Sequence, residues 1–270
     1  MKPGIRGLEH SDLNEHLSLT AASLLGLEAA DSRVMTFEDA TAIVVTRYDR
    51  LTRDGRIVRL HQEDMAQAAG VHPTGKYENQ GGPGIEEIIE LMRGTRTRGI
   101  ERSVELFFEA TIYNWAILGT DAHAKNYSLL HTETGPLLAP LYDVATALPY
   151  PDINNPRKVK LAMAYGKHYR DSEIEARHVL DDAAHFGFDP QWAYDKARTM
   201  LAGIPDAYSQ AAFDAKLTGE DAAFAALIVD RATARTKALE RELRNTTVPE
   251  GTGSRRRRPA QARGQVGRFR

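Results

Sequence analysis

The 270-residue chain contains no cysteine, which excludes disulfide bonds, a thiolate nucleophile and cysteine-based zinc sites. It also has no apolar run near the roughly 18 residues that a membrane-spanning helix needs. Its N-terminus lacks the basic and then apolar pattern of a secretory signal peptide. An apolar content of 42% still allows a sizeable core. These features predict a soluble, globular, cytoplasmic protein with no membrane partner.

Positive charge is sparse in most of the chain and concentrated at its C-terminal end. Residues 251–270 contain seven arginines and no acidic residue, although the whole chain carries a formal net charge of −2. The remainder is therefore distinctly acidic and is not expected to bind polyanions generally. The tail, residues 247–270, is predicted to be disordered. It is either a solvated appendage or a nonspecific attractor of nucleic acid, so DNA contact is expected only through this tail or through a partner.

One polar segment, residues 120–126, carries an arrangement that suits phosphoryl transfer. Asp121 and Asn126 stand five positions apart, like the Asp and Asn of the protein-kinase catalytic loop H-R-D-x-x-x-x-N, and Asp143 follows seventeen positions later. In such a set one carboxylate accepts the proton of the attacking hydroxyl. An amide oxygen and a second carboxylate hold Mg²⁺ against the phosphates. The spacing therefore predicts a Mg²⁺-dependent phosphoryl-transfer site.

Other interpretations of this segment stay open on the residues alone. Asp121 could cap a turn and Asn126 could satisfy loop backbone, because both residue types bond readily to nearby main chain. His123 and His131 could bind a transition metal, although no paired helical histidine motif surrounds them. A small-molecule kinase of related fold would use the same three residues.

Hydrophobic periodicity predicts the elements that position this loop. A helical pattern over 101–119 precedes it, and Gly119 is expected to end that helix in a left-handed conformation. Strands at 127–131 and 136–142, joined by a turn, would return Asp143 to the side of Asn126. Rigid elements on both sides would therefore hold the loop in place.

Elsewhere the pattern predicts strands early in the chain and helices late. Expected elements are a helix at 12–25, strands at 33–37, 41–48 and 57–60, a helix at 62–69, a loop at 71–84, a helix at 85–93, an irregular stretch at 149–158 and a strand at 159–164. Helices should follow from 171 to about 244, with breaks at Gly187, Pro190, Gly203 and Gly219. The expected fold class is α+β and mostly helical, with a small β-containing region on a helical body.

Further short segments extend the pattern around the polar loop. They read NEH at 14–16, RYDR at 47–50, VRLHQEDM at 58–65, KYE at 76–78, GGPG at 81–84, NW at 114–115, YDV at 142–144 and LAM at 161–163. In this order and at these separations, the chain resembles the HipA family of bacterial serine/threonine kinases, toxins of type II toxin–antitoxin pairs. The resemblance runs from about Lys2 to about Arg244.

The resemblance implies roles for the residues of the polar loop. Asp121 would be the catalytic base beside the substrate hydroxyl. His123 would approach the nucleotide phosphates, and Lys125 would neutralise charge on the transferred group. Asn126 and Asp143 would hold Mg²⁺.

It also implies roles for residues around the nucleotide. Arg47 and Tyr48 would form the hinge that offers backbone groups to adenine, and Asp49 would face the ribose. Lys2 matches the lysine that grips the α- and β-phosphates, and Glu15 would steady it from a helix.

The implied architecture is a protein-kinase-like fold with a truncated N-lobe and a helical C-lobe. Residues 1–50 would be a remnant of the N-lobe with the hinge, 51–246 the C-lobe with the catalytic loop, and 247–270 the tail. Full members of the family carry an N-terminal subdomain and a glycine-rich loop ahead of the lysine that Lys2 matches. We therefore expect Lys2 to be poorly anchored and activity to be reduced. Either the true start lies upstream, or a separate N-lobe polypeptide completes the site, or the chain is a decayed toxin that still folds.

The function implied is transfer of the ATP γ-phosphoryl group to a protein serine or threonine, with ATP and Mg²⁺ as cofactors. The protein substrate would be a component of translation, such as glutamyl-tRNA synthetase, and the partner an antitoxin-type DNA-binding protein. The alternative is a non-catalytic kinase-like module that binds such a partner without turnover.

Overall fold

The computed structural model describes residues 1–38, 40–150 and 158–250. Most of the irregular stretch expected at 149–158, and the arginine-rich tail from residue 251 onward, lie outside the described residues. No helix within the described ranges combines the length and the apolar character needed to cross a membrane.

The N-terminal part consists of one helix and a three-stranded antiparallel sheet. Helix α1 spans Ser11–Leu24, and strands β1 (Lys2–Pro3), β2 (Ser32–Phe37) and β3 (Ala40–Val45) pair in the order β1-β3-β2. Lys2 lies opposite Ile43, which is fully buried. The expectation that Lys2 is poorly anchored is therefore wrong, because backbone pairing holds β1 against the central strand of this sheet.

A hairpin follows the sheet and projects into solvent. It consists of β4 (Arg50–Arg53) and β5 (Arg56–Arg59), joined by Asp54 and Gly55, both in left-handed conformation. Left-handed residues at both central positions match the right-handed twist of paired strands. The sequence predicted only the second strand, because β4 has no apolar alternation that marks a half-buried strand.

A second three-stranded sheet supports the polar loop. It is formed by β6 (Gln62–Asp64), β7 (Ser128–Thr132) and β8 (Gly135–Leu138) in that order, so the hairpin predicted after the loop is confirmed. The helix predicted at 62–69 is partly wrong, because α2 spans only Met65–Ala68. Residues 62–64 pair with β7 instead, and the Asp64 carboxylate accepts a hydrogen bond from the Gln67 N–H, which starts the helix there.

Two helices lead into the loop. Helix α3 spans Ile85–Gly94, and α4, which spans Ile100–Ala116, runs through the core with Phe107, Tyr113 and Trp115 fully buried. The helix end differs from prediction, since Leu118 takes the left-handed conformation (φ 57°) and Gly119 does not. The Gly119 N–H bonds the carbonyl of Asn114 at 2.7 Å and the Leu118 N–H bonds that of Trp115 at 3.3 Å, the hydrogen-bond pattern of a Schellman motif.

The C-terminal part contains a strand pair and three helices. Strands β9 (Lys160–Tyr165) and β10 (His168–Arg170) precede α5 (Ala176–His185), α6 (Pro190–Asp214) and α7 (Gly219–Asn245). The breaks predicted near Gly187, Pro190 and Gly219 are confirmed. The break predicted at Gly203 is wrong, because α6 runs straight through it against α1. A Cβ at position 203 would lie 2.7 Å from Leu25 Cδ2, so the glycine permits close helix packing.

Candidate active site

A cavity of about 380 Å³ lies between the first sheet and the β6–β7 strands. Its walls come from the end of β3 and the following loop, from β1 and α1, from β6 and from the segment after β8. The lining residues include Lys2, Glu15, Thr46, Arg47, Tyr48, Asp49, Gln62, Asp64, Ser128, Tyr142 and Asp143. A smaller cavity of about 140 Å³ shares Lys2, Glu15 and Asp143 with it and adds Asp121. Most of the residues selected from the sequence therefore line one pair of cavities.

Lys2 links the N-terminal sheet to the helix and to the segment that carries Asp143. Its Nζ donates to Glu15 Oε2 at 2.9 Å and also to the Asp143 carboxylate. Burial alone lowers the pKa of Lys2, but its hydrogen bonds and charge contacts with the two acids leave that pKa raised. Burial raises the pKa of Glu15, and the hydrogen bond from Lys2 opposes that rise. The pairing of Lys2 with Glu15 expected from the sequence is present.

Asp121 follows the tight end of α4 and presents its carboxylate to solvent, with 62% of the side chain exposed. The Tyr77 hydroxyl donates to Asp121 Oδ1 at 2.5 Å. Burial, together with this hydrogen bond and the negative charge, raises the pKa of Tyr77 to about 12. Tyr77 therefore stays a neutral donor to Asp121 throughout the physiological range. The sequence analysis had marked this tyrosine only as part of the segment at 76–78, with no role assigned.

His123 is buried immediately beside Asp121. Its Nε2 lies 3.7 Å from Asp121 Oδ1, and its ring packs edge-on against Tyr77 with centroids 5.1 Å apart. Burial lowers the pKa of His123 although the charge of Asp121 opposes this, so the imidazole is neutral at pH 7. Within the described residues its Nδ1 has no hydrogen-bond partner.

Asn126 and Asp143 are brought together as the hairpin predicted. The Asn126 amide nitrogen donates to the Asp121 carbonyl at 2.7 Å and lies 3.4 Å from the Asp143 carbonyl. Because the nitrogen is committed to these carbonyls, the amide oxygen is the group left for a cation. Asp143 itself is left-handed (φ 55°), and its carboxylate is 45% exposed. One amide oxygen and one accessible carboxylate are the hard donors that Mg²⁺ prefers, so these residues fit that ion.

Asn14 fixes the backbone just beyond Asp143. Its amide nitrogen donates to the Thr146 carbonyl at 2.7 Å, and its amide oxygen accepts from the Thr146 N–H at 3.0 Å. The Thr146 hydroxyl in turn donates to the Ile117 carbonyl at 2.5 Å. Helices α1 and α4 therefore both hold this segment, and Asn14 is a positioning residue that the sequence had marked only as part of a motif.

The loop between β3 and β4 carries the residues expected to form a hinge. Asp49 is almost fully buried, and its carboxylate receives two hydrogen bonds from Arg47, at 2.8 and 2.6 Å, and another from Arg50. These arginines keep the pKa of Asp49 below its usual range, although burial opposes them. In the described residues, no backbone hydrogen bond involves the N–H or C=O of Arg47 or Tyr48. The backbone N–H and C=O groups of Arg47 and Tyr48 are therefore available to hydrogen-bond a ligand. The carboxylate oxygens of Asp49 already accept hydrogen bonds from arginines.

Lys125 is paired with Asp64, which lines the larger cavity, rather than with Asp121. Its Nζ donates to Asp64 Oδ2 at 2.7 Å, and its carbonyl accepts from the Tyr142 hydroxyl at 2.8 Å. Asp64 is a further lining residue, which the sequence had marked only as part of a motif. On the same wall, the side-chain oxygen of Gln62 is buried and has no partner among the described residues. Because an unsatisfied buried acceptor is costly, this wall suits a ligand that carries N–H or O–H donors.

The transition-metal interpretation based on His123 and His131 is not supported, because these residues do not share a cluster of potential ligands in the described part of the chain. His131 instead lies beside His61 and Glu63.

Comparison with known proteins assigns this architecture to a class. The structure of HipA from Shewanella oneidensis, solved with HipB and its operator DNA, superimposes with a TM-score of 0.77 at 24% identity, covering 89% of this chain and 59% of that one. The Helicobacter pylori proinflammatory kinase CtkA gives a TM-score of 0.59 at 10% identity, with 87% of both chains covered. The fold is therefore protein-kinase-like, and the α+β, mostly helical architecture expected from the sequence is confirmed.

The sequence comparisons define the family. The model of the HipA-like C-terminal domain matches residues 1–211, so the chain belongs to that family. The Y4mE protein of Sinorhizobium fredii, named as a candidate kinase, is 36% identical over 177 residues, covering 65% of this chain and 41% of that protein. The serine/threonine-protein kinase toxin HipA of Shewanella oneidensis is 26% identical over 212 residues, covering 74% and 48%. The chain thus spans about half the length of these curated relatives.

Proposed function

We propose that this chain is the catalytic domain of a HipA-like protein serine/threonine kinase, which transfers the γ-phosphoryl group of ATP to a protein hydroxyl. The observation that carries the proposal is the joining of Lys2 to Glu15 and Asp143 between the two cavities, with Asp121 and Asn126 next to them. A lysine paired to a helical glutamate, beside a base and two metal-binding side chains, is the arrangement that phosphoryl transfer requires.

The loop residues would carry the chemistry. Asp121 accepts the proton of the attacking serine or threonine hydroxyl, which replaces the Tyr77 hydroxyl at its carboxylate. Asn126 and Asp143 hold Mg²⁺, which neutralises negative charge on the phosphates when it is bound. Neutral His123 donates a hydrogen bond toward the phosphates. Lys125 leaves Asp64 to balance charge on the transferred group.

The residues of the larger cavity would bind the nucleotide. Lys2 binds the α- and β-phosphates, and Glu15 keeps its ammonium group in position. The free backbone groups of Arg47 and Tyr48 hydrogen-bond adenine. Asp49 faces the ribose once Arg47 or Arg50 releases its hydrogen bond to one of the Asp49 carboxylate oxygens.

The family resemblance supports the finer assignments. It makes residues 1–50 the N-lobe part with the hinge, 51–246 the C-lobe and 247–270 the tail, in a cytoplasmic protein. By analogy with the relative solved with HipB and operator DNA, the partner is an antitoxin-type DNA-binding protein. The substrate is a translation component such as glutamyl-tRNA synthetase. A separate N-lobe polypeptide, which the resemblance implies, is proposed as a further partner for full activity.

The test is removal of the two acids that have distinct roles. We expect Asp121→Asn and Asp143→Asn each to reduce transfer of labelled γ-phosphate from ATP to proteins of a bacterial extract by about 10²-fold or more. Asp206→Asn, a matched change on the exposed face of α6, should leave transfer unchanged. Full transfer by both active-site variants would show that the chemistry does not depend on these carboxylates.

A non-catalytic module that binds an antitoxin-type partner is the second candidate, and one observation favours it. Two of the proposed catalytic side chains, Asp121 and Lys125, are already paired with Tyr77 and Asp64. Calorimetry with ATP and Mg²⁺ separates the two functions. Nucleotide binding without any phosphotransfer, even after addition of the N-terminal half of a relative, would favour the module.

A further inference from the structure

Two histidines and a glutamate gather on the side of the β6–β7 ladder opposite the larger cavity. One potential ligand atom from each of His61, Glu63 and His131 lies within 4.8 Å of the other two. The His131 Nε2 and Glu63 Oε1 are 2.7 Å apart, and the two imidazole rings are centred 4.8 Å apart. This grouping belongs to no part of the proposed kinase site.

Strand pairing explains why these side chains meet. Gln62 pairs with Leu130, and the His131 N–H donates to the His61 carbonyl at 2.8 Å, so the two histidines face each other across the strands. Glu63 is two positions beyond His61 and therefore shares its face. The alternate residues of the same strand, Gln62 and Asp64, line the larger cavity instead. The cluster therefore results from the backbone register of the two strands and not from a chance contact between long side chains.

The donor set selects one chemical class of ligand. Two imidazoles and one carboxylate suit Zn²⁺ and related transition metals, whereas Mg²⁺ and Ca²⁺ prefer oxygen donors alone. Around a tetrahedral Zn²⁺ with bonds of about 2.0–2.1 Å, ligand atoms lie about 3.3 Å apart. The present spacing is at most 4.8 Å, and His61 is exposed while Glu63 and His131 are half-buried. Small side-chain rotations would therefore close the site without moving the backbone.

We propose that His61, Glu63 and His131 form a Zn²⁺ site with one coordination position left for water. Binding there joins β6 to β7 on the face opposite the larger cavity. The cavity face of β6 carries Asp64, which holds Lys125 and caps α2. Metal occupancy therefore stabilises the strand on which one wall of the larger cavity depends.

A rival explanation is a simple imidazole–carboxylate pair that needs no metal. The chain provides a matched example in His185 and Glu86, whose Nε2 and Oε1 are 2.8 Å apart. That pair is not part of a three-ligand cluster among the described residues. It serves as a control because it reproduces the Glu63–His131 contact without a second histidine.

The experiment is calorimetric titration of the metal-free full chain with ZnCl₂. We expect one Zn²⁺ per chain, and a loss of affinity of about tenfold or more in His61→Ala and in His131→Ala, since each removes one of three ligands. His185→Ala should bind Zn²⁺ as the wild type does. Circular dichroism of the metal-free variants shows whether each is folded. Glu63→Gln, which keeps the shape of the side chain but removes its charge, gives a second measure of how Zn²⁺ affinity depends on the proposed ligands.

The same variants can be followed with Co²⁺, whose visible absorption reports tetrahedral coordination. The wild-type signal should disappear in His131→Ala and persist in His185→Ala. Zn²⁺ affinity that is equal in wild type and His131→Ala, or that falls equally in His185→Ala, would overturn the proposal. Because the readout is metal binding, its outcome is independent of phosphotransfer.

Discussion

Asp182, on α5, is a carboxylate that the fold keeps largely from water. Burial raises the pKa of Asp182 to about 6, and a hydrogen bond of 2.9 Å from the Gly166 N–H offsets only part of that rise. Since the folded-state pKa lies above the unfolded value, Asp182 stabilises the fold fully below about pH 4. That contribution is lost as the pH rises through about 6. We expect Asp182→Asn to raise the free energy of unfolding at pH 7.5 by about 1–2 kcal/mol.

Urea unfolding at two pH values measures this effect. Asparagine keeps the oxygen that accepts from Gly166 and cannot ionise, so the variant and the wild type should have nearly equal stability at pH 4. Asp206→Asn, on an exposed face, controls for the change in net charge. A stability difference that is the same at both pH values would show that ionisation of Asp182 is not its cause.

Single residues of the candidate site were predictable where their partners are near in sequence. Asp121, Asn126 and Asp143 were expected to converge because a short hairpin follows the loop, and they do. Tyr77 and Asp64 fell within the short segments but were given no role, although each bonds a residue of the same loop. They reach it from 44 and 61 positions away, and local periodicity carries no information on contacts at such separations.

At the scale of elements, the end of α4 determines where the polar loop begins. Gly119 packs so closely against Asn114 that an added Cβ would overlap its side-chain oxygen. The Asn114 side chain cannot move freely, because its amide nitrogen bonds the Ala110 carbonyl and the Tyr127 hydroxyl. We expect Gly119→Ala to destabilise the fold by about 1–3 kcal/mol through overpacking. Denaturant unfolding monitored by circular dichroism measures the change.

Gly94 supplies the matched control for that substitution. It ends α3, no atom lies within 4 Å of a Cβ built there, and its backbone is not left-handed. Alanine at position 94 should therefore be neutral or stabilise by up to about 1 kcal/mol. If both alanine variants were equally stable, close packing at Gly119 would not define the start of the loop.

Helices and strands were predicted well where one face is apolar and poorly where tertiary contacts decide. The spacing of apolar residues within α3 and within α4 was sufficient to predict both helices, because their buried residues recur at helical intervals. Gly203 was expected to interrupt α6, but packing against α1 stabilises the helix there. Residues 62–64 were assigned to a helix, whereas pairing with β7 makes them a strand. In both cases a partner distant in sequence overrides the local preference.

At the scale of the whole molecule, the protein-kinase-like fold was predicted through a set of short motifs rather than through physical patterns alone. Periodicity indicated a small β region on a helical body, but strands also occur through the middle of the chain, in β6 to β10. The largest error concerned Lys2, which was expected to fray. Pairing of β1 with β3 and the contacts with Glu15 and Asp143 hold it. Those partners lie up to 141 positions away, so no local signal could reveal them.

The position of Lys2 at the junction of both cavities leads to a prediction about nucleotide binding. Lys2→Met keeps an unbranched side chain that is one atom shorter, but it leaves the carboxylates of Glu15 and Asp143 without their shared cation, next to the expected triphosphate. We expect the affinity for ATP with Mg²⁺, measured by calorimetry, to fall by about tenfold or more, since close charge contacts of this kind are worth at least 1.4 kcal/mol. Lys237→Met, on the exposed face of α7, should bind ATP like the wild type. Unchanged affinity in Lys2→Met, with the fold intact by circular dichroism, would mean that the triphosphate does not lie against β1 and that the larger cavity serves another ligand.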